Sequence, residues 1–200
     1  MTKRSQQRLE QKRSRILNTA KDVLIKYGKD TSMSDIAQAL GMDTSGLYYY
    51  YKSIPEILDT LLEDKYSLFR LSHEEFRNIK SPLGIIKKMM IMLLEFYFDN
   101  LEIIQVVLSQ VCPLYTDPGR EADSIAINHF LQAYHEANAG MLIEIEKAQN
   151  QGELSAGYSP ALILHTMRGF ILGMHASWRR EKGSREAIPG VVDRFFLVYS

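Results

Sequence analysis

Apolar residues recur at helical spacing along almost the whole chain, and no stretch keeps the every-second-residue pattern of a half-buried strand. That periodicity restricts the chain to an all-α fold. Ile16, Leu17, Ala20, Val23, Leu24 and Tyr27 make one apolar stripe, with Arg8, Lys12 and Arg15 turned away from it and Gly28 closing the segment. The first helix is therefore amphipathic, with a basic outer face. Ser32-Met33-Ser34-Asp35 then reads as a cap, the Ser hydroxyl and the Asp carboxylate each reaching a backbone amide at the helix start. A short helix over about 33–40 follows, ended by Gly41 in the left-handed conformation. Asp43 caps a second short helix over 44–50. Ser53-Ile54-Pro55-Glu56 repeats the start signal for a long helix running toward Ile79.

The rest of the chain is punctuated in the same way. Ser81-Pro82 opens a helix to about Phe98, and Asn100 opens another that must end before Pro113. Pro113, Pro118 and Gly119 mark a loop, a long helix is predicted over 121–151, and residues 152–159 form a further loop. Ser159-Pro160 starts a helix to about Arg180, and Val191, Val192, Phe195, Phe196 and Tyr199 give a last stripe.

Charge is unevenly spread. Of 200 residues, 24 are Lys or Arg and 24 are Asp or Glu, yet residues 1–29 hold nine basic groups against Glu10 and Asp22. That end is +7 and the remainder −7, a polarity suited to a polyanion at the basic end or to a solvated arm. The one cysteine, Cys112, allows no intramolecular disulfide and fits a reducing cytoplasm. Asn18, Lys21 and Asp22 break any leader-like apolar run after the basic start, and the longest apolar runs fall far short of about 20 residues. The reading is a cytoplasmic protein without a membrane partner.

Two short helices joined at Gly41 have the form of a helix-turn-helix. Ile36, Ala37, Leu40, Met42, Leu47 and Tyr51 take the positions that need apolar or small residues, Ala37 where the second helix crosses close. The opposite face carries Thr44, Ser45, Gly46, Tyr48 and Tyr49, with Tyr50 at its edge. Short hydroxyls, phenols and an approachable backbone suit base edges and phosphate oxygens in a major groove. An interior helical hairpin would explain Leu47 and Tyr51 but neither the other tyrosines nor the basic arm.

On these residues the sequence resembles the TetR family of bacterial transcriptional regulators. The resemblance runs over 16–62, and its most specific parts are Ser34-Asp35-Ile36-Ala37-Gln38-Ala39-Leu40-Gly41-Met42, then Gly46-Leu47-Tyr48-Tyr49-Tyr50-Tyr51-Lys52-Ser53 and Glu56-Ile57-Leu58. It implies an N-terminal three-helix helix-turn-helix DNA-binding domain (1–52) and a C-terminal helical ligand-binding and dimerisation domain (53–200). It also implies roles: Thr44, Ser45 and Gly46 as base-edge readers, Tyr48, Tyr49 and Lys52 as phosphate contacts, Ser32 as a backbone contact. Two residues depart from the family pattern, which usually has Phe where Tyr51 stands and Lys where Ile54 stands. The second departure removes one phosphate contact unless Arg4, Arg8 or another arm residue replaces it.

Past residue 65 the resemblance fades. Between Ala161 and Trp178 the one charged residue is Arg168, and apolar groups lie all round the helix. Gly169, Gly173 and Ser177 form a small-residue stripe, and with Phe170, Val192, Phe195, Phe196 and Tyr199 they are read as the interface of a homodimer; a central core helix in a monomer is the alternative. The family resemblance likewise implies dimers joined by the last two helices. It also implies a small-molecule effector pocket, for which Phe69, Tyr97, His129, His165 and Arg168 are the candidates. Arg168 needs a carboxylate such as Glu95, Glu136 or Glu144, or else an anionic ligand; Met89, Met90 and Met92 suit either an adaptable wall or plain core. The effector is read as mainly apolar.

The partners expected are thus an operator in double-stranded DNA, a second copy of the chain and the effector, with repression taken as the family's commoner mode. No catalytic residue, metal or cofactor is assigned. The five histidines form no i, i+3 or i+4 pair, His129 with Glu136 is too sparse for a metal, and no phosphate-cradling loop or nucleophile elbow occurs. The chain is read as a non-enzyme; an architectural DNA binder without a ligand is the runner-up.

Overall fold

The computed structural model describes residues 3–63, 76–110, 123–181 and 183–199, with residues 3 and 4 by backbone alone. Among these the regular elements are all helical: α1 (Lys3–Tyr27), α2 (Met33–Leu40), α3 (Thr44–Tyr48), α4 (Ile54–Leu62), α5 (Pro82–Asp99), α6 (Leu101–Gln110), α7 (Ile125–Asn150), α8 (Pro160–Trp178) and α9 (Ile188–Phe196). The chain is all-α and divides into two compact units, residues 1–67 with 102–131, and residues 68–101 with 132–200.

In the first unit, the basic arm and the apolar stripe belong to one 25-residue helix. Ile16, Ala20, Val23 and Leu24 of α1, with Met33, Ile36, Ala37 and Leu40 of α2, Leu47 and Tyr51, and Ile57, Leu58 and Leu62 of α4, are among its buried apolar residues, as are Ile104, Val106 and Val107 of α6. Burying such aliphatic side chains contributes about 1.5–3 kcal/mol each before entropy is counted. Gly28 takes φ +60°, and a Cβ there would stand 2.7 Å from the Ser109 carbonyl oxygen, so conformation and close approach both demand glycine. Lys21 pairs with Glu102 of α6. Asp59 of α4 accepts from the Ser124 hydroxyl at 2.8 Å and from the Ala126 amide at 3.0 Å. It thereby satisfies amides at the start of α7, which the helix cannot pair internally.

In the second unit, α5 packs against α8 and α9. Ile86, Met90, Leu94 and Tyr97 are buried with Ile163, Leu164, Met167, Ile171, Ile188, Val192 and Phe196. Ser81 and Ser159 cap α5 and α8 as expected, accepting from Gly84 and Leu162 amides. Met90 is plain core, whereas Met89 and Met92 are only partly covered.

Several boundaries differ from the sequence reading. α3 ends at Tyr48, not Tyr50, and the Asp43 side chain makes no cap bond; its carbonyl instead receives the Gly46 and Leu47 amides. The helix expected to reach Ile79 is described only to Leu62, and residues 76–78 form a turn. Asn100 does not open α6: its side-chain amide donates to the Phe96 carbonyl and finishes α5. α7 starts at Ile125 because Ser124, accepting from the Ile127 amide, supplies the cap.

Candidate nucleic-acid interface

α2 is set by its two ends. Ser32, in extended backbone, accepts from the Asp35 amide at 3.2 Å, and the Asp35 carboxylate accepts from the Ser32 amide at 2.8 Å and from its hydroxyl. These bonds hold the Asp35 carboxyl below its ordinary range. At the far end Gly41 has φ +64°, and the Gly41 and Met42 amides return to the Gln38 and Ala37 carbonyls. The chain then turns at once into α3.

α3 is five residues long and buries only Leu47. Because Leu47 is fully enclosed, the rest of the helix is rotated outward. Ser45 is exposed and Thr44 and Gly46 are half-covered. Tyr48 is 51% and Tyr49 79% exposed, whereas Tyr51 is 2% exposed. Tyr50 lies edge-on to Tyr49 with ring centroids 5.1 Å apart. Lys52 is exposed, and its amide donates to the Glu56 carboxylate at 2.7 Å. Ser45, Tyr48, Tyr49 and Lys52 thus stand exposed on one short segment, with Thr44 and Gly46 half-covered among them. Two phenols, two aliphatic hydroxyls and an ammonium are groups that donate to phosphate oxygens and meet base edges.

This geometry is that of a known domain. Residues 16–61 match the family model described as bacterial regulatory proteins, tetR family. The match covers the helix-turn-helix segment, under a quarter of the chain. No curated protein matches it. Among solved structures it is similar to SCO3833, a TetR-family member from Streptomyces coelicolor A3, at 21% identity and TM-score 0.68, over 92% of this chain and 89% of that one. It is similar to the ketosteroid transcriptional regulator KstR2 of Mycobacterium tuberculosis at 16% identity and TM-score 0.63, over 94% and 92%. It also resembles AibR in complex with isovaleryl coenzyme A and operator DNA, at 20% identity and TM-score 0.60, over 92% and 97%. These likenesses extend over nine-tenths of the chain and show that it shares the fold of those structures.

The described effector candidates have different surroundings. Tyr97 is buried edge-on to His175, ring centroids 5.9 Å apart, and burial pushes its hydroxyl pKa up. Arg168 Nε donates to the Tyr134 hydroxyl, and its guanidinium lies 5.1 Å from that ring's centroid. Of the carboxylates named as candidate partners, Glu95 meets Arg185, Glu136 accepts from Gln132 and Glu144 pairs with Lys147. His129 and His165 are exposed, so neither lines an enclosed cavity, and His129 belongs to the first unit. Phe69 lies outside the described residues, as does Cys112.

The interface candidates also separate. Val192, Phe196 and Tyr199 are buried in their own chain, Tyr199 sharing a 2.6 Å hydrogen bond with Thr166. Their stripe faces inward, because α9 needs it to cover α5 and α8. Phe170 and Phe195 pack on each other with centroids 5.0 Å apart and are half-covered. Gly169, Gly173 and Ser177 are exposed along one face of α8. Two apolar residues the sequence reading passed over, Leu197 at 72% and Val198 at 65%, are exposed just beyond α9. His175 was also missed. It is buried, its Nε2 is 3.2 Å from the Leu101 carbonyl oxygen, and burial lowers its pKa. Nothing in the local pattern distinguishes it from an apolar position.

Among the described residues no three His, Cys, Asp or Glu side chains converge as metal ligands. No described helix is long and apolar enough to cross a membrane.

Proposed function

We propose that this protein is a homodimeric transcriptional regulator, a repressor released from a near-palindromic operator by a mainly apolar small molecule. The observation that carries the DNA reading is the contrast within α3, with Leu47 fully enclosed and the adjacent Tyr48 and Tyr49 open to solvent. A face of that kind is retained against the drive to bury aromatic rings when it has a hydrated partner. In this reading Thr44, Ser45 and Gly46 meet base edges, Tyr48, Tyr49, Tyr50 and Lys52 meet phosphates, and the exposed Ser32 at the start of α2 meets the backbone. Ser32's hydroxyl already serves Asp35, so its amide end of the helix supplies the contact through the helix dipole.

Two copies place two α3 segments on successive major grooves, about 34–36 Å apart, and read a site of matching symmetry. The exposed Gly169, Gly173 and Ser177 of α8, together with Leu197 and Val198, form the uncovered apolar surface that a second copy would close. The effector reading draws on the relatives, one a ketosteroid regulator and one bound to isovaleryl coenzyme A. Arg168 with Tyr134 is the pair in this chain suited to a polar head on an otherwise apolar molecule. Release requires that the effector bind the DNA-incompetent state more tightly than the competent one.

The test is enrichment of duplexes from a random-sequence pool by the full-length protein, followed by footprinting on the DNA flanking its own coding region. The expected result is one protected, near-palindromic site, lost on addition of a lipophilic effector. Binding with no sequence preference would overturn the regulator reading, and protection that no lipophilic compound alters would overturn the effector part alone.

A further inference from the structure

We propose that Arg13 is a positioning residue for the recognition segment, holding the turn that follows α3 from α1 and thereby setting how sharply the protein distinguishes DNA sequences. The proposal rests on the reading of α2 and α3 as the DNA-reading unit. In the sequence Arg13 is one of nine cations in an arm suited to a polyanion or to solvent. Its surroundings point elsewhere. The guanidinium Nη2 donates to the Tyr50 carbonyl at 3.4 Å, and Cζ lies 5.5 Å from the centroid of the Tyr51 ring. Tyr51 is buried, so its ring is a fixed platform. The hydrogen bond is long, so neither contact fixes the guanidinium alone and the pair does.

The position matters because α3 has too few residues to hold itself. A helix of five residues is unstable in isolation, and the turn that follows it, where the Leu47 carbonyl receives the Tyr50 and Tyr51 amides, leaves the Tyr50 carbonyl and the Lys52 amide to find partners elsewhere. Two side chains from outside close this turn: Arg13 on the Tyr50 carbonyl, and Glu56 of α4 on the Lys52 amide at 2.7 Å. Glu56 is itself anchored, its amide donating to Ser53 Oγ at 3.3 Å. Tyr50 in turn supports the exposed Tyr49 ring edge-on. The outward tyrosines are thus aimed by a clamp with one jaw on α1 and one on α4. Arginine suits the first jaw, since its planar fork donates in plane while its face rests on an aromatic ring; an ammonium has no such face.

The test uses the full-length protein, a duplex that the wild-type protein enriches from a random pool, and an unrelated duplex of equal length, each titrated over a range of KCl. For R13Q the expected result is a roughly tenfold fall in the ratio of the two affinities, the order of one hydrogen bond involving a charged group. Affinity for the unrelated duplex and the slope of log K against log salt stay at wild-type values. R13K, which keeps the charge, loses discrimination as well. A slope smaller by about one in R13Q, with both duplexes weakened alike and R13K restored, makes Arg13 a phosphate contact and overturns the proposal. An unchanged ratio in a variant with wild-type circular dichroism also overturns it. Should R13Q fail to fold, R13K decides by the same readings. A wild-type protein that enriches no duplex overturns the DNA-reading function itself, a failure seen before any variant is made.

Discussion

α3 and α8 each leave one face that their own chain does not cover, and the two faces are chemical opposites. α3 buries a single leucine and shows hydroxyls and phenols. α8 buries Ile163, Leu164, Met167, Ile171 and His175, and its open face is largely glycine, alanine and serine with Leu162 and His165. A face that can donate hydrogen bonds in every direction is suited to a wet, charged surface. A face with almost no side chains offers nothing to such a surface but lets another backbone come close. Exposure alone therefore does not say what a surface is for; the chemistry left at the exposed positions does.

The most damaging way to break this contrast is to remove what rotates α3 outward. Leu47→Ala leaves a cavity under a helix that buries no other side chain of its own, so unfolding in urea should show a loss of about 2–5 kcal/mol. A loss well under 1 kcal/mol would mean that α3 is held by something else. A charge on the opposite face tests the second half. A Cβ at Gly173 meets nothing within 4 Å, so Gly173→Glu should leave one chain's stability near wild type. Burying that carboxylate between copies should raise the dimer dissociation constant on the order of a hundredfold, read by sedimentation. A dimer unaffected by this change would place the interface elsewhere.

The hidden side of α8 makes a smaller demand. Burial lowers the His175 pKa from 6.5, outweighing the bond to the Leu101 carbonyl, and Arg179 pushes the same way. The folded protein then binds fewer protons than the unfolded chain once pH falls below about 6.5. Stability should be full above that value and drop as the pH falls through it toward the folded pKa. His175→Gln should remove this dependence, measured as thermal midpoint from pH 7.5 to 5; an identical profile in the variant would mean another group titrates. The smallest effect sharpens the α3 side. Ile54→Lys at the start of α4 adds a cation where the family pattern has one, and should steepen the salt slope of DNA binding by about 0.9 with little change in sequence preference.

The two faces also differ in how much of them the sequence disclosed. The Ser32-to-Asp35 box, Gly41 and the Ser53 cap are contacts between residues three or four apart, so their spacing dictates the conformation that the structure shows. Leu47 and Tyr51 sit four apart on one turn, which is enough to orient the segment between them. In the second unit the apolar residues surround the helices, and spacing cannot say which way a helix turns when every side is greasy. Val192, Phe196 and Tyr199, which the pattern places in a homodimer interface, are buried within their own chain. Arg168 with Tyr134, His175 with Leu101 and Arg13 with Tyr50 join residues 34 to 74 positions apart. Such pairings have no signature along the chain. They follow from which helices meet.

Of the cations on α1, Lys21 is paired with Glu102, whereas the exposed Arg13 rests against Tyr50 and Tyr51 and the exposed Lys26 over the Tyr27 ring. A carbonyl oxygen and an aromatic face orient a cation without cancelling it. To a polyelectrolyte this end of the molecule is therefore weaker by a single charge than a count of lysines and arginines suggests, and its retention on a heparin column should fall with salt as that count less one requires.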